Sequence, residues 1–177
     1  MARSTVQRNE WTISLLNVQE HDCLLEVGSG PGALIQTLTA KTHNTHITGI
    51  DASPLMVQQA TKRNTQAIRE GRVEIQQGSA LALPFKDATF DKALSANSVQ
   101  IWPDRLAGVQ EMRRVLKPGG FIALILQPVW ARTDDEVKAI GSELVELLQK
   151  ANFQQIRLEF KSMKPIACVC ALGIKSS

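Results

Sequence analysis

No apolar run in this sequence approaches the length of a membrane span. The longest, Phe121 to Leu126, falls far short of the roughly 18 residues that a spanning helix needs. Nor does an apolar stretch follow Met1-Ala2-Arg3-Ser4-Thr5, so no secretory signal is expected. Cysteine is scarce. Cys23, Cys168 and Cys170 cannot all pair within one chain, and the last two share one face of an extended strand, too close to bridge each other. Reduced thiols and a cytoplasmic location are the expectation. His21, His43 and His46 stand at no metal-ligand spacing to the cysteines, so no metal is expected. Charge of one sign is also lacking. Twenty basic against 17 acidic residues leave a net charge of +3, which permits a nucleic-acid partner without arguing for one. Repeats, low-complexity tracts and Gly/Ser-rich linkers are absent, so the 177 residues read as one domain, 1–177, with a short helical segment over 1–20.

What is present is a balance of 44% hydrophobic and 21% charged residues, enough to build a core and to exclude disorder of the whole chain. Apolar strands alternate with amphipathic helices. Strands are expected at Cys23–Val27, Ile47–Ile50, Val73–Gln76, Phe90–Ala96 and Phe121–Leu126, the last apolar throughout, as in a strand buried on both faces. Helices are expected from Ala33 to Ala40, from the Ser53-Pro54 start to Arg69, from Asp104 to Leu116, and from the Thr133 cap through Ala151. The final pair of strands, Gln155–Lys161 and Ile166–Ile174, is joined too tightly for a crossover and must form an antiparallel hairpin. The sum is an α/β class fold, a doubly wound sandwich. Ligands of such sheets sit outside the carboxyl ends of the strands, which directs attention to the loops after the first four.

The first of these loops is Glu26-Val27-Gly28-Ser29-Gly30-Pro31-Gly32. Its glycines let the backbone turn sharply and let a ligand approach where a Cβ would collide. Gly28, Gly30 and Ala33 also satisfy the dinucleotide pattern, and a tight turn with no ligand is a further reading. Glu26 argues against a dinucleotide, because a carboxylate there repels a pyrophosphate. It suits a cationic ligand such as an ammonium or a sulfonium. Asp51, at the end of the second strand, can accept both hydroxyls of a ribose. After the third strand, Ser79 and the amides of Ala80 and Leu81 can meet an adenine edge. Asn97, just past the fourth, points into the same crevice.

Taken in order, Leu25-Glu26-Val27-Gly28-Ser29-Gly30-Pro31-Gly32, Gly49-Ile50-Asp51, Gly78-Ser79-Ala80, Leu83-Pro84-Phe85, Phe90-Asp91 and Arg114 to Gly120 resemble the class I S-adenosylmethionine-dependent methyltransferases. The small bacterial branch grouped with ubiquinone-biosynthesis-like enzymes is the most similar. The resemblance implies a seven-stranded, mostly parallel sheet of order 3-2-1-4-5-7-6 with strand 7 antiparallel, in a three-layer sandwich. It also implies that Gly28, Gly30 and Gly32, with Ser29 among them, wrap the methionine part of S-adenosylmethionine, with Glu26 shaping the loop. Asp51 would hold the ribose, Ala52 and Met56 would flank the adenine, and Asn97 would face the methionine end. Ser79 departs from the acid that many members carry, which leaves the adenine to the Ala80 amide or to water.

Methyl transfer from a sulfonium needs alignment more than acid–base help, so no catalytic triad is expected and none is visible. Asp104 or Glu10 could serve as a base, although Asp104 also reads as a helix cap. Trp102 and Trp130 could wall an acceptor pocket or simply pack. Asn97-Ser98-Val99-Gln100 does not resemble the tetrapeptide of amino-directed nucleic-acid methyltransferases, and no basic stripe with aromatics appears. A small-molecule acceptor, no nucleic acid and no membrane span are therefore expected, and a homodimer is allowed. Two alternatives remain: an NAD-type oxidoreductase, and a cofactor-binding module that needs a partner for activity.

Overall fold

The computed structural model describes residues 3–177. Met1 and Ala2, counted in the expected N-terminal segment, lie outside the described residues. In chain order the elements are α1 (Arg3–Leu16), β1 (Cys23–Val27), α2 (Ala33–Lys41), β2 (His46–Asp51), α3 (Pro54–Arg63), α4 (Thr65–Arg69), β3 (Val73–Gln77), β4 (Phe90–Ala96), α5 (Arg105–Val115), β5 (Leu116–Leu126), α6 (Asp134–Lys150), β6 (Phe153–Lys161) and β7 (Cys168–Lys175).

The strands form one seven-stranded sheet of order β3-β2-β1-β4-β5-β7-β6. β1 pairs in parallel with both β2 and β4, and β7 runs antiparallel to β5 and β6. Alternation along the strands divides the core in two. Leu25, Val27, Ala93, Ile122 and Leu124 face α5 and α6, which contribute Val109, Met112, Val115, Leu144 and Leu148. Leu24, Ile47, Leu94, Ala123 and Ile125 face the other layer, where α1 brings Leu16 and α2 brings Leu34, Ile35 and Leu38. Each fully buried Leu or Ile side chain contributes about 1.5–3 kcal/mol. Both faces being apolar is what forces helices onto both sides. Strand order reverses between β1 and β4, so the crevice opens at their carboxyl ends.

Capping is local and legible. Ser53 Oγ accepts from Met56 N, Asp104 Oδ1 from Ala107 N and Thr133 Oγ1 from Glu136 N, while Glu136 reaches back to the Arg132 amide. Other residues behind the family resemblance turn out to brace the scaffold. Arg114 donates to the carbonyls of Leu83 and Phe85 at 2.9 and 2.8 Å, fixing the Leu83-Pro84-Phe85 loop, and pairs with Glu111 and Asp87. These acidic partners raise the Arg114 pKa. Asp91 accepts from Cys23 N and from Lys117 Nζ, joining β4 to β1 and to the start of β5.

Several expected boundaries change. The helix from Ser53 to Arg69 is two helices, broken at Asn64. The buried Asn64 side chain donates to Ala60 O at 2.9 Å and to Gly32 O at 3.1 Å, and this competition with the helical ladder ends α3. β5 begins at Leu116 rather than Phe121, because Leu116 pairs with Phe90 before the register slips across 117–120. In the closing hairpin β6 begins two residues early, at Phe153, and β7 two residues late, at Cys168.

Candidate active site

The β1–α2 loop is tied down by the end of β2. Gly28 N and Ser29 N both donate to Ile50 O, at 2.8 and 3.1 Å, and Gly30 N donates to Asp51 Oδ2 at 2.8 Å. The other Asp51 oxygen accepts from Ser53 N at 2.9 Å. Two amides therefore fix the carboxylate before any ligand arrives. Gly28 has φ +75°, and a Cβ there would run into the Ser98 side chain. Gly30 has φ +52°, yet its Cβ direction meets no heavy atom within 4 Å. The first glycine allows a close approach by protein. The second leaves room for something else.

Beside this loop lies a cavity of about 240 Å³. Gly28, Asp51, Ala52, Ser79, Ala80 and Leu81 line it, together with Ser98, Ile101, Trp102 and Pro103 from the segment after β4. Trp102 Nε1 donates to Ser98 Oγ at 2.9 Å, so the indole is held over the cavity. Ser79 Oγ accepts from Leu81 N at 3.1 Å. That turn engages the Leu81 amide within the cavity wall. Ala80 N makes no hydrogen bond among the described residues.

On the α1 side of β1 the pattern is different. Glu26 is only 2% exposed, and its Oε2 has no hydrogen-bond partner among the described residues. Burial pushes its pKa up to about 8, against the pull of Arg8, and the Asp51 charge pushes the same way as burial. Asn97 takes φ +54°, and its Oδ1 accepts from Gln127 N at 2.7 Å. Its side-chain oxygen thus joins the ends of β4 and β5 instead of standing free in the crevice. Gln127 in turn donates from Nε2 to the carbonyls of Lys164 and Ile166 and accepts from Arg8.

Comparison with known proteins decides what kind of site this is. The sequence pattern of the "Methyltransferase domain" family matches residues 25–124, which contain both the glycine loop and Asp51. The "Uncharacterized methyltransferase YdaC" of Bacillus subtilis is 35% identical over 176 residues, 99% of this chain and 95% of that protein. This chain belongs to the methyltransferase-domain family. It is an S-adenosylmethionine-dependent methyltransferase. A rice 2-methyl-6-phytyl-1,4-hydroquinone methyltransferase is 31% identical over 149 residues, 77% of this chain. The chain spans nearly all of the Bacillus protein but only 42% of the rice enzyme. A S-adenosylmethionine-dependent methyltransferase from Aquifex aeolicus shares the fold, with a TM-score of 0.78 at 20% identity over 98% of this chain and 93% of that one.

Within this methyltransferase the expected residues divide. Gly28, Asp51, Ala52, Ser79, Ala80 and Leu81 come together around the cavity. Gly32 starts α2 and packs against Ala60 and Asn64, and Met56 sits half-buried in the first turn of α3; neither lines the cavity. Of the two candidate bases, Glu10 forms an exposed pair with Lys41 at 3.2 Å and Asp104 caps α5, and neither lines the cavity. Burial pushes the Cys168 thiol up to about 12, far from a reactive thiolate. Trp130 is 54% exposed, so of the two tryptophans only Trp102 packs into the cavity. Sequence reasoning missed Arg8, Ser98, Ile101 and Pro103 as lining or neighbouring groups. For Ser98 a signal existed in the glycine opposite it. For Arg8 there was none.

No helix of the described residues is long and apolar enough to cross a membrane. No cluster of three or more metal-ligating side chains occurs among them.

Proposed function

We propose that this methyltransferase transfers the methyl group to a small apolar acceptor by in-line displacement, with alignment as its main catalytic contribution. The observation that carries this reading is exposed apolar surface at the crevice end of the sheet. Ile101, which lines the cavity, is 76% exposed, and Val129 and Trp130, in the loop after the neighbouring strand β5, are 65% and 54% exposed. An apolar rim of this kind offers an apolar acceptor a place to shed water.

When bound, S-adenosylmethionine supplies a methyl on a sulfonium, already an excellent electrophile. The chain's residues hold and orient. Asp51, prepositioned by Gly30 N and Ser53 N, keeps lone pairs for the two ribose hydroxyls. Ala52 and the Ala80 amide border the adenine, and Ser79 contributes its hydroxyl proton now that its lone pair is engaged by Leu81 N. Gly28, Ser29 and Gly30 form the turn around the methionine part, and Asn97 fixes the far wall. Gly32 and Met56 serve the scaffold. Alignment of this kind is worth up to about 7–11 kcal/mol.

Calorimetry with S-adenosylhomocysteine tests the cofactor half. Asp51→Asn should weaken binding about 100-fold, through loss of charge-assisted hydrogen bonds; unchanged affinity would remove Asp51 from the site. Radiolabelled methyl transfer tests the acceptor half. Hydroquinones are among the first acceptors to try, since the rice relative carries that word in its name. Apolar phenols and hydroquinones should be methylated in preference to polar amines, and transfer to RNA instead would overturn the reading.

A further inference from the structure

A different cavity, also of about 240 Å³, lies between α2 and α4 and shares no residue with the one beside Asp51. Gln36 and Thr39 of α2 line it, with Arg63, Asn64, Glu70 and Arg72 opposite. Asn64 is only 3% exposed. Its Nδ2 donates to the carbonyls of Ala60 and Gly32, which fixes the orientation of the amide. Its Oδ1 has no hydrogen-bond partner among the described residues. A buried oxygen left this way is costly and calls for a reason. The charges of the cavity are also uneven. Glu70 accepts from Gln66 Nε2 at 2.8 Å and from Arg72 Nε at 3.1 Å, and these donors lower its pKa. Arg63 donates from Nη1 to the Pro31 carbonyl at 2.8 Å and pairs with no acid among the described residues. Two guanidiniums against one engaged carboxylate leave one positive charge over.

We infer that this cavity binds a small hydroxycarboxylate, its carboxylate on the free nitrogens of Arg63 and its hydroxyl donating to Asn64 Oδ1. The two unmet groups select this chemistry between them. A monoanion cancels the spare charge, whereas a dianion overshoots it and meets Glu70 as a like charge. An amino acid cancels nothing and brings an ammonium up to two guanidiniums. A plain carboxylate answers Arg63 and leaves the Asn64 oxygen as it was. Gln36, Arg63 and Gln66, which border the cavity, are exposed long side chains that can part to let a hydroxyl reach that oxygen.

The same two residues reach the glycine loop from behind. Arg63 holds the Pro31 carbonyl and Asn64 holds that of Gly32, at 3.1 Å. A hydroxyl donated to Asn64 Oδ1 polarises the amide and strengthens its donation to Gly32. Occupation of the cavity therefore stiffens the loop after β1. On the reading of the glycine crevice as the cofactor site, the hydroxycarboxylate and the cofactor then favour each other's binding by one and the same factor.

Lactate and propionate test the site, since they carry the same charge and differ by one hydroxyl. Each is titrated into the full chain at constant ionic strength, with backbone amide NMR as the readout. Lactate should shift the amides of α2 and α4 with a Kd on the order of 1 mM. Propionate should bind about 10-fold more weakly, for want of one hydrogen bond to a buried oxygen. Arg63→Gln, at an exposed position, should weaken lactate by a similar factor. Equal affinity for the two ligands, no saturable shifts with lactate, or full lactate affinity in Arg63→Gln would each overturn the inference. Calorimetry with S-adenosylhomocysteine then tests the coupling. Saturating lactate should tighten its binding about 5-fold, propionate at the same concentration should not, and an unchanged affinity would overturn the link to the glycine loop. Lactate binding is read without the cofactor, so the two readings fail separately. If S-adenosylhomocysteine does not bind at all, the crevice reading falls and the cavity between α2 and α4 is still judged on lactate alone.

Discussion

The two halves of the crevice are built on opposite terms. Around the ends of β2 and β3 several polar groups are already engaged. Asp51 holds two amides, Ser79 holds a third, and Gly28 and Ser29 share the Ile50 carbonyl. Between α1 and β1 the reverse holds, with Arg8, Thr12, Glu26 and Ser29 each keeping a polar atom without a partner. The first half is rigid without a ligand, so ligand binding there costs little ordering. The second half carries buried polar atoms without partners, an unmet cost in the free protein. An ordered set of polar groups and an unsatisfied set thus lie on separate elements.

The contrast can be broken by attacking the ordered half. Gly28→Ala should have the largest effect on folding. It forces a side chain into a left-handed backbone and against Ser98, a cost of about 3 kcal/mol from strain and overpacking together. Urea denaturation would read it directly, and a change under 1 kcal/mol would mean the loop is soft. Next comes the pH response of the unsatisfied half. Glu26 binds its proton more tightly folded, at about 8, than unfolded, where its ordinary value is 4.5. Between those two values the folded state carries the extra proton, so stability falls as pH rises, by at most about 1.4 kcal/mol per pH unit. Glu26→Gln should flatten that slope in melts of the free protein from pH 5 to 8. A parallel slope in the variant would assign the pH dependence elsewhere. Smallest is a control remote from both halves. Thr133→Ala removes the α6 cap and should cost about 1 kcal/mol while leaving S-adenosylhomocysteine affinity as it was. A changed affinity there would show the two halves to be less self-contained than their hydrogen bonds indicate.

Legibility in the sequence follows the same division. Ser53-Pro54, Asp104, Thr133 and the glycine turn act within a few residues of themselves, so their roles could be read from spacing. The strand order came from resemblance to the family, and the tight final hairpin agreed with it. Asn64 was invisible as a helix breaker because one of its partners, Gly32 O, lies 32 residues away. The engagement of Leu81 N escaped because a serine in the expected acid position makes its own local turn. Arg8 was hidden most deeply. An arginine in an N-terminal helix looks like any solvated charge until packing sets it near Glu26. Gln127 was hidden for the same reason, since its bonds span 30 to 119 residues.

Gln127 also limits how this molecule can vary. One side chain and its amide join α1, the end of β4 and the β6–β7 turn at the end of β5. Any lengthening of the β5–α6 connection must leave that junction in place, so new residues can enter only beyond Pro128, among the exposed Val129 and Trp130. Growth there would leave the hydrogen bonds of Gln127 and of the glycine loop untouched. The boundary between what can diversify and what cannot therefore falls within two residues, and on the proposed reading a change of acceptor is open to the chain without a change of methyl donor.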